Sequence, residues 1–459
     1  MLVEFTVNNV LSIKESKTFS MIGSTAVKEL EDEGSIGSNV FMEHEGKSKF
    51  LKSAVIYGAN GSGKSNIITA LDFFKTFILT SSNDRQADDE IDIIPFLLSE
   101  TTENKPSGFE MIFIHEDVRY RYGYEVDQEM IHAEWLFQLP IKQSSKETRL
   151  FSRTKQEINI NARMFKEGKG IEANTRMNAL FLSTVAQLNG AISQNIQSYF
   201  RKNFNVISGL NKSTTEYTIS KFIEDQNFRK QALAFFDLIN SGIKNIEIEE
   251  TEIDRLDNVA NRLSGKIEEN AELHEIFKSL TALRQSLKKI DDRKDVEINL
   301  FYKKFNKEGH FTSLQPLSFN LESKGNQKLF ALLGPWLDTI ENGKVIIVDE
   351  LDSRLHTLLT IELIKLFHSK ANVKNAQLIF ASHDTNLLKK ELFRRDQIWF
   401  VEKDNEGASD LYSLVEYKIN HATAVRNDAS FEKDYLMGKY GAIPYFGDIE
   451  KFLNEFVYE

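Results

Sequence analysis

The sequence predicts an α/β fold built on parallel strands, because three short apolar segments each end in a polar motif. Residues 54–57, 344–348 and 377–381 are rich in β-branched and other apolar residues, as is typical of strands buried on both faces. A glycine-rich loop follows the first segment, two acidic residues follow the second, and Ser-His follows the third. Ligands of open α/β sheets bind at the carboxyl ends of strands. We therefore expect the acidic pair to lie at the ligand-binding edge of the sheet.

The glycine-rich loop has the pattern of a phosphate-binding loop, set between a strand and an amphipathic helix. Its glycines let backbone N–H groups surround a polyphosphate at the positive end of that helix. Lys64 would reach the β- and γ-phosphates, and the Ser65 hydroxyl would be a ligand of Mg²⁺. The sequence therefore predicts a site for a nucleoside triphosphate. Its predicted residues are Gly58, Ala59, Asn60, Gly61, Ser62, Gly63, Lys64, Ser65 and Asn66.

The acidic pair is Asp349-Glu350, after the apolar segment 344–348. Asp349 would hold Mg²⁺ through its water shell, and Glu350 would polarise the attacking water. An apolar strand that ends in two acids is also compatible with a simple strand-to-turn boundary. The phosphate-binding loop upstream favours the catalytic interpretation.

The third motif places His383 directly after Ser382, where it would face the γ-phosphate as a switch residue. A lone histidine at a strand end is more often structural or solvated. This one is separated from the acid-bearing strand by a single predicted helix, residues 358–367. The helix predicts a right-handed crossover that returns the chain as the adjacent parallel strand.

A fourth segment, residues 322–329, precedes a predicted apolar helix that leads to the acid-bearing strand. Ser323 and Gly325 at the entry to that helix could offer a hydroxyl and N–H groups to a phosphate. Taken alone, the segment is more simply explained as a helix cap.

Together the four segments resemble the ABC-type ATPases, and more closely their SMC-like and prokaryotic-defence branch. The resemblance implies a P-loop NTPase head with a mixed central sheet and an antiparallel side sheet. It also implies ATP and Mg²⁺ as ligands and a head-to-head homodimer or higher oligomer. In that family Ser323 and Gly325 would contact the ATP of the other head, and Asp352 would be the D-loop acid at the dimer seam. Glu322 and Lys324 depart from the usual Leu-Ser-Gly-Gly-Gln signature.

Both ends of the chain sharpen this resemblance. Residues 5–14 look like the opening strand pair of such heads, and residues 426–444 look like the C-terminal signature of RloA-type and Septu PtuA-type antiphage ATPases. This branch implies control of a separately encoded effector, most simply a nuclease. The alternatives are a DNA-repair ATPase and a nuclease-fused ATPase of the overcoming-lysogenization-defect type. The fused nuclease is disfavoured because only some 75 residues follow His383. A GTPase is disfavoured because residues 211–214 lack the Asp that reads guanine.

Composition limits the remaining classes. The 459 residues carry a net charge of −11, which argues against broad attraction to nucleic acid, and they contain no cysteine for disulfides or thiolate metal sites. Basic clusters at residues 142–155 and 288–294 leave nucleic acid open as a partner, although a solvated surface is the simpler interpretation. No segment approaches the about 18 apolar residues of a membrane span, so we expect a cytoplasmic protein without a membrane partner.

The predicted organisation has three parts: an N-terminal lobe over 1–205, a mainly helical insertion over 206–310, and a C-terminal lobe over 311–459. A β-hairpin is predicted at 109–126. A heptad pattern within residues 256–290 predicts a short antiparallel helical arm, or equally a helical pair packed on the core. Gln187, on a predicted helix, is a candidate for the Q-loop residue that touches Mg²⁺.

Overall fold

The structure is a computed structural model of the whole chain. It describes residues 1–25, 27, 39–42, 48–83, 86, 88–141, 146–209, 212–251, 295–419, 423–424 and 430–444. The predicted helical arm and the basic cluster at 288–294 lie outside these residues.

Eight α-helices occur in the part of the chain that the structure describes. They are α1 (Lys64–Thr80), α2 (Phe181–Gln187), α3 (Ala191–Lys202), α4 (Lys212–Glu224), α5 (Gln226–Leu238), α6 (Lys324–Asn342), α7 (Thr357–His368) and α8 (Phe431–Leu436).

Twenty strands are described. They are β1 (Leu2–Asn8), β2 (Lys17–Ser20), β3 (Val40–Met42), β4 (Lys49–Leu51), β5 (Ser53–Tyr57), β6 (Ser107–His115), β7 (Val118–Val126), β8 (Ile131–Pro140), β9 (Thr148–Thr154), β10 (Glu157–Ile160), β11 (Phe204–Ile207), β12 (Ile243–Thr251), β13 (Asp295–Phe305), β14 (Phe311–Ser318), β15 (Val345–Val348), β16 (Gln377–Ala381), β17 (Ile398–Lys403), β18 (Ser409–Ser413), β19 (Lys418–Ile419) and β20 (Thr423–Ala424).

The central sheet has the strand order β11-β15-β16-β5-β17-β18. Its first five strands are parallel and β18 is antiparallel, so the sheet is mixed. Every residue of β5, β15 and β16 is buried, which explains their continuous apolar character. The predicted crossover is confirmed, because β16 pairs in parallel with β15 after the single helix α7. The three strands that carry the polar motifs are therefore adjacent.

The side sheet has the order β10-β9-β8-β7-β6-β1-β2 and is antiparallel throughout. The predicted hairpin is β6 and β7. Helix α1 packs on this sheet through Phe74, whose fully buried ring stacks on Tyr124 with centroids 5.3 Å apart and meets Phe200 of α3 edge-on at 5.7 Å. The mixed central sheet and the antiparallel side sheet confirm the predicted fold class.

The chain divides into two compact units, residues 1–214 with 335–459, and residues 215–334. The first unit contains both large sheets. In the second, the antiparallel sheet β12-β13-β14 accompanies α5 and the first part of α6. The core of this second unit includes Phe330, whose ring lies 5.2 Å from Phe319 and 6.4 Å from Phe222 between centroids. The predicted three-part division stays a prediction.

Candidate nucleotide-binding site

The phosphate-binding loop joins β5 to α1, and its backbone explains its glycines. Gly61 and Gly63 have φ angles of 75° and 111°, which disfavour residues with a side chain. At Gly58 a Cβ atom would lie 2.3 Å from the carbonyl oxygen of Val401. These positions are therefore held to glycine by backbone conformation and by close packing.

The amino end of α1 is open. Gly63 is its N-cap and, among the described residues, no side chain caps the helix there. Two of the first N–H groups of the helix, those of Asn66 and Ile67, point back to the Gly63 carbonyl. An uncapped helix start with the dipole behind it favours a bound anion.

Lys64 lies inside the loop rather than in solvent. Lys64 is only 6% exposed, and its ammonium group donates to the carbonyl oxygens of Gly58 at 2.7 Å and Ala59 at 3.0 Å. Burial lowers the pKa of Lys64, while the charges of nearby acids, Asp349 first among them, raise it. The ammonium group is thus held where a phosphate would give it a stronger partner than two neutral carbonyls.

The acidic motif ends β15 beside the loop. Asp349 donates its N–H to the carbonyl of Ile207 at 2.9 Å, which ties the strand end to β11. The Oδ1 atoms of Asp349 and Asp352 are buried and have no hydrogen-bond partner among the described residues. Glu350 is exposed and has a φ of 50°, an uncommon backbone conformation for a residue with a side chain. Two buried carboxylate oxygens without a partner indicate a site built for a ligand.

His383 lies at the end of the neighbouring strand β16 and is exposed. Its backbone N–H donates to Asp352 Oδ2 at 3.3 Å. Burial lowers the pKa of His383, and so does the charge of Lys64, while Asp352, Glu350 and Asp349 oppose the change. Because β15, β16 and β5 are adjacent parallel strands, the loop lysine, the three acids and the histidine lie at one edge of the sheet.

The turn after His383 is fixed by its neighbours. The Asp384 carboxylate accepts a hydrogen bond from Thr357 Oγ1 at 2.5 Å, and the Asp384 carbonyl accepts one from the Tyr57 hydroxyl at 3.0 Å. Because Tyr57 is the last residue of β5, the phosphate-binding loop and the histidine turn share an anchor. Sequence reasoning missed this role of Tyr57.

The donor set suits Mg²⁺ bound together with a triphosphate. Ser65 is exposed at the first turn of α1, and Asp349 presents its unpartnered Oδ1. Within the described residues, no group of three or more His, Asp or Glu side chains could hold a metal alone. Magnesium usually takes one or two protein oxygens and completes its shell with water and phosphate. The residues present therefore fit this ion.

Ser323 and Gly325 lie in the second unit, at the start of α6. The Ser323 hydroxyl accepts a hydrogen bond from the N–H of Asn326 at 3.2 Å, so Ser323 caps this helix. Ser323 is itself exposed. Glu322 accepts hydrogen bonds from the Tyr302 hydroxyl, the Ser323 N–H and the Asn326 amide. Burial raises the pKa of Glu322, but these hydrogen bonds outweigh it and hold the pKa below its usual value. The unusual Glu322 thus anchors the segment.

Two candidates from the sequence have an unexpected environment. Arg153, counted in the basic cluster at 142–155, is buried, lies 3.7 Å from the carboxylate of Glu134, and donates to the carbonyl of Ala179 at 2.7 Å. It is therefore not part of a basic surface, because both side chains of its ion pair are fully buried. Gln187 is exposed at the end of α2, and Ser183 of that helix bonds to Ile78, near the end of α1 remote from the loop. The role of Gln187 stays a prediction.

Residues 53–389, well over half of the chain, match a family model described as "AAA domain, putative AbiEii toxin, Type IV TA system". No curated protein matches the chain in sequence. None of the helices that the structure describes is long and apolar enough to cross a membrane.

Several solved structures are similar in fold. One is an SMC head bound to the C-winged helix domain of ScpA, with 14% identity, coverage of 90% of this chain and 97% of that chain, and a TM-score of 0.43. The SMC head domain from Thermotoga maritima has 12% identity, coverage of 90% and 98%, and a TM-score of 0.36. The recombination mediator protein RecF has 13% identity, coverage of 90% and 98%, and a TM-score of 0.29. Sequence identities this low support a similarity of fold and no similarity of function.

Proposed function

The chain belongs to this AAA-domain family, and on that premise we propose that it binds and hydrolyses ATP with Mg²⁺. The observation that carries the proposal is the convergence of Lys64, Asp349, Glu350 and His383 at the carboxyl edge of three adjacent strands. This edge is where α/β sheets bind their ligands.

Each residue has a distinct proposed role. Loop N–H groups and Lys64 bind the β- and γ-phosphates, and Ser65 and Asp349 hold Mg²⁺. The metal, when bound, would neutralise charge on the phosphate oxygens. Glu350 orients and polarises the attacking water. His383, whose pKa is lowered by burial and by Lys64, faces the γ-phosphate as a hydrogen-bonding group.

Calorimetric titration of the full chain with ATP and Mg²⁺ tests this proposal. The wild type should bind ATP more tightly than GTP, and Lys64→Ala should weaken binding at least ~100-fold, because it removes the charged partner of the phosphates. Lys365→Ala, at a partly exposed position on α7, is the matched control and should bind normally. Failure of the wild type to bind any nucleoside triphosphate would refute the proposal.

We further propose that ATP holds two copies of the chain together, with Ser323 and Gly325 of one copy on the nucleotide of the other and Asp352 near the seam. The exposed helix start at Ser323 supports this, since the Ser323 hydroxyl accepts one hydrogen bond there and still carries a proton that it can donate to a second molecule. Ser323→Arg should abolish hydrolysis and leave ATP binding within about threefold of wild type. Ser313→Arg, exposed on β14 of the same unit, is its control. Full turnover by a species that light scattering shows to be monomeric would contradict this arrangement.

For the biological role, we propose that the ATPase controls a separately encoded effector, most simply a nuclease, in antiphage defence. The family description names a toxin–antitoxin system, a two-component arrangement that supports a separate partner. The buried state of Arg153 weakens the alternative of an ATPase acting directly on nucleic acid. Phage challenge of cells carrying the chain with its neighbouring gene, compared with Lys64→Ala, tests the role. Cleavage of DNA or RNA by the purified chain alone, lost in Glu350→Gln, would favour the direct-acting alternative instead.

A further inference from the structure

Three hydrogen bonds in series run behind the phosphate-binding loop and join distant parts of the sequence. The amide nitrogen of Asn66 lies 2.6 Å from Ser12 Oγ, which lies 2.7 Å from Ser409 Oγ. Ser409 Oγ in turn lies 2.6 Å from the carbonyl oxygen of Ser62. Ser12 sits in the tight turn after β1, and Ser409 is the first residue of β18. The N-terminal turn and a late strand therefore both hold the loop.

Ser409 is the central donor of this set of hydrogen bonds. The Asn66 amide nitrogen only donates, the Ser62 carbonyl only accepts, and each serine hydroxyl has one proton. The Ser409 hydroxyl is the donor toward both neighbours, so its single proton is shared between the Ser62 carbonyl and the Ser12 oxygen, which also accepts from Asn66. A second bond, from the Ser409 N–H to the Ser12 carbonyl at 2.6 Å, fixes the two serines against each other.

The last of these bonds sets the orientation of one peptide group in the loop. In a planar trans peptide the C=O and N–H bonds point in opposite directions. Because the Ser62 carbonyl is held by Ser409, the N–H of Gly63 is turned away from Ser409, toward the other side of the loop. That N–H is one of the backbone donors of the glycine-rich loop that can face a phosphate.

The same serines close the back of the loop. A Cβ atom on Gly63 would lie 2.3 Å from Ser409 Oγ and 2.7 Å from Ser12 Oγ. Ser409 and Ser12 are only 4% and 8% exposed, so water is poorly placed to replace a lost hydroxyl. A buried acceptor that loses its donor is left unsatisfied, which favours rotation of the peptide.

We infer that Ser12 and Ser409 are positioning residues for nucleotide binding, which aim the Gly63 N–H at a phosphate without touching the nucleotide. The inference rests on the proposed function, since it concerns the same loop. A loop oriented before the ligand arrives pays less conformational entropy on binding. Loss of either hydroxyl should therefore raise the Kd and KM for ATP and leave kcat nearly unchanged.

The test uses the full chain with ATP and Mg²⁺, and measures the Kd by calorimetry, KM and kcat by phosphate release, and Tm without nucleotide. Ser409→Ala should raise Kd and KM about five- to tenfold, the size expected for one buried hydrogen bond. Ser12→Ala should raise them only about two- to threefold, because the Ser409–Ser62 bond survives. The kcat of both variants should stay within about twofold of wild type.

Ser413→Ala is the matched control. Ser413 is a buried serine on the same strand and the same face as Ser409, but its hydroxyl contacts the Ile398 carbonyl at 3.5 Å instead of the loop. It should lower Tm as much as Ser409→Ala does and leave Kd unchanged. If Ser409→Ala binds ATP as tightly as Ser413→Ala, the inference is wrong and the serines only stabilise the fold.

A second variant decides the matter if Ser409→Ala does not fold. Ser12→Ala, in the turn after β1, then carries the test, and an unchanged Kd in that variant overturns the inference. The outcome is distinct from failure of the proposed function. In that case the wild type itself would not bind ATP, whereas here only the difference between wild type and serine variants is at issue.

Discussion

Buried polar groups at the two ends of the central sheet differ in whether they have hydrogen-bond partners. At the amino ends of the strands, the Gln377 side chain bonds to the N–H and carbonyl of Leu2 and to the carbonyl of Leu51. At the carboxyl ends, Asp349 Oδ1 has no partner among the described residues, and neither has the hydroxyl of Ser62. Buried polar groups are normally satisfied, so unpartnered oxygens beside the phosphate-binding loop favour a ligand there, although other unpartnered atoms, such as Arg394 Nη1 before β17, lie elsewhere. The comparison separates a structural end from a functional one.

The amino end of the sheet, the structural end, also contains a buried histidine, His368, whose surroundings disfavour its protonated form. His368 Nε2 lies 2.7 Å from Ser53 Oγ, and Gln397 donates to the same hydroxyl at 2.9 Å. Burial, with a smaller contribution from Lys52, lowers the pKa of His368 to about 3. His368 at this end and His383 at the other both favour the neutral form, but only His383 is exposed to a ligand.

The largest expected effect is a loss of stability in acid caused by His368. Its folded pKa lies below its unfolded value of 6.5, so the unfolded state binds more protons between these pH values. Stability is complete above pH 6.5 and falls as the pH falls toward 3, by roughly 3 kcal/mol between pH 7 and pH 4 from this group. Urea unfolding across this pH range should show a smaller loss of unfolding free energy on acidification in His368→Gln than in the wild type. If the unfolding free energy of the two proteins depended on pH equally, His368 would not be the cause of the acid destabilisation.

A smaller effect is expected for Gln377→Ala. The substitution removes the side-chain partner of the Leu2 N–H and of two carbonyls in a buried region, which should cost about 2 kcal/mol of unfolding free energy. Gln194→Ala, at an exposed position on α3, should change stability by less than about 0.5 kcal/mol. Chemical denaturation measures both, and equal stability of the two variants would show that the Gln377 contacts contribute little.

The smallest effect has the opposite sign. Asp349→Asn removes a carboxylate whose buried Oδ1 has no partner, so it should stabilise the nucleotide-free protein by about 1 kcal/mol. The same change should abolish the stabilisation that ATP and Mg²⁺ give to the wild type, because a neutral amide is a poor magnesium ligand. Thermal unfolding with and without nucleotide gives both values. If Asp349→Asn were less stable than the wild type without nucleotide, the unpartnered Asp349 carboxylate would not destabilise the nucleotide-free protein.

The difference between the two ends also explains what the sequence could predict. The loop, the acids and His383 are local motifs at the ends of apolar segments, so both their strands and their common edge follow from pattern and from the crossover rule. The partner of Gln377 is Leu2, 375 positions away in the chain. No local periodicity specifies such a contact.

The same reason explains the misplaced arginine and the missed serines. Arg153 looks like a surface charge because its partner Glu134 lies on the neighbouring strand β8 and the fold buries both. Ser12 and Ser409 are 397 positions apart, and serine in a turn or at a strand start carries no signal by itself. Tertiary pairing, not local sequence, assigns these roles.

The central claim is that the carboxyl end of the sheet hydrolyses ATP through Glu350. Its most direct test measures ATP binding and steady-state phosphate release for wild type and Glu350→Gln under the same conditions, with Glu362→Gln on α7 as a control for an exposed glutamate. The account predicts that Glu350→Gln binds ATP normally and turns over at least ~10²-fold more slowly, as expected when a general base or water-orienting group is lost. Wild-type turnover in Glu350→Gln would contradict it.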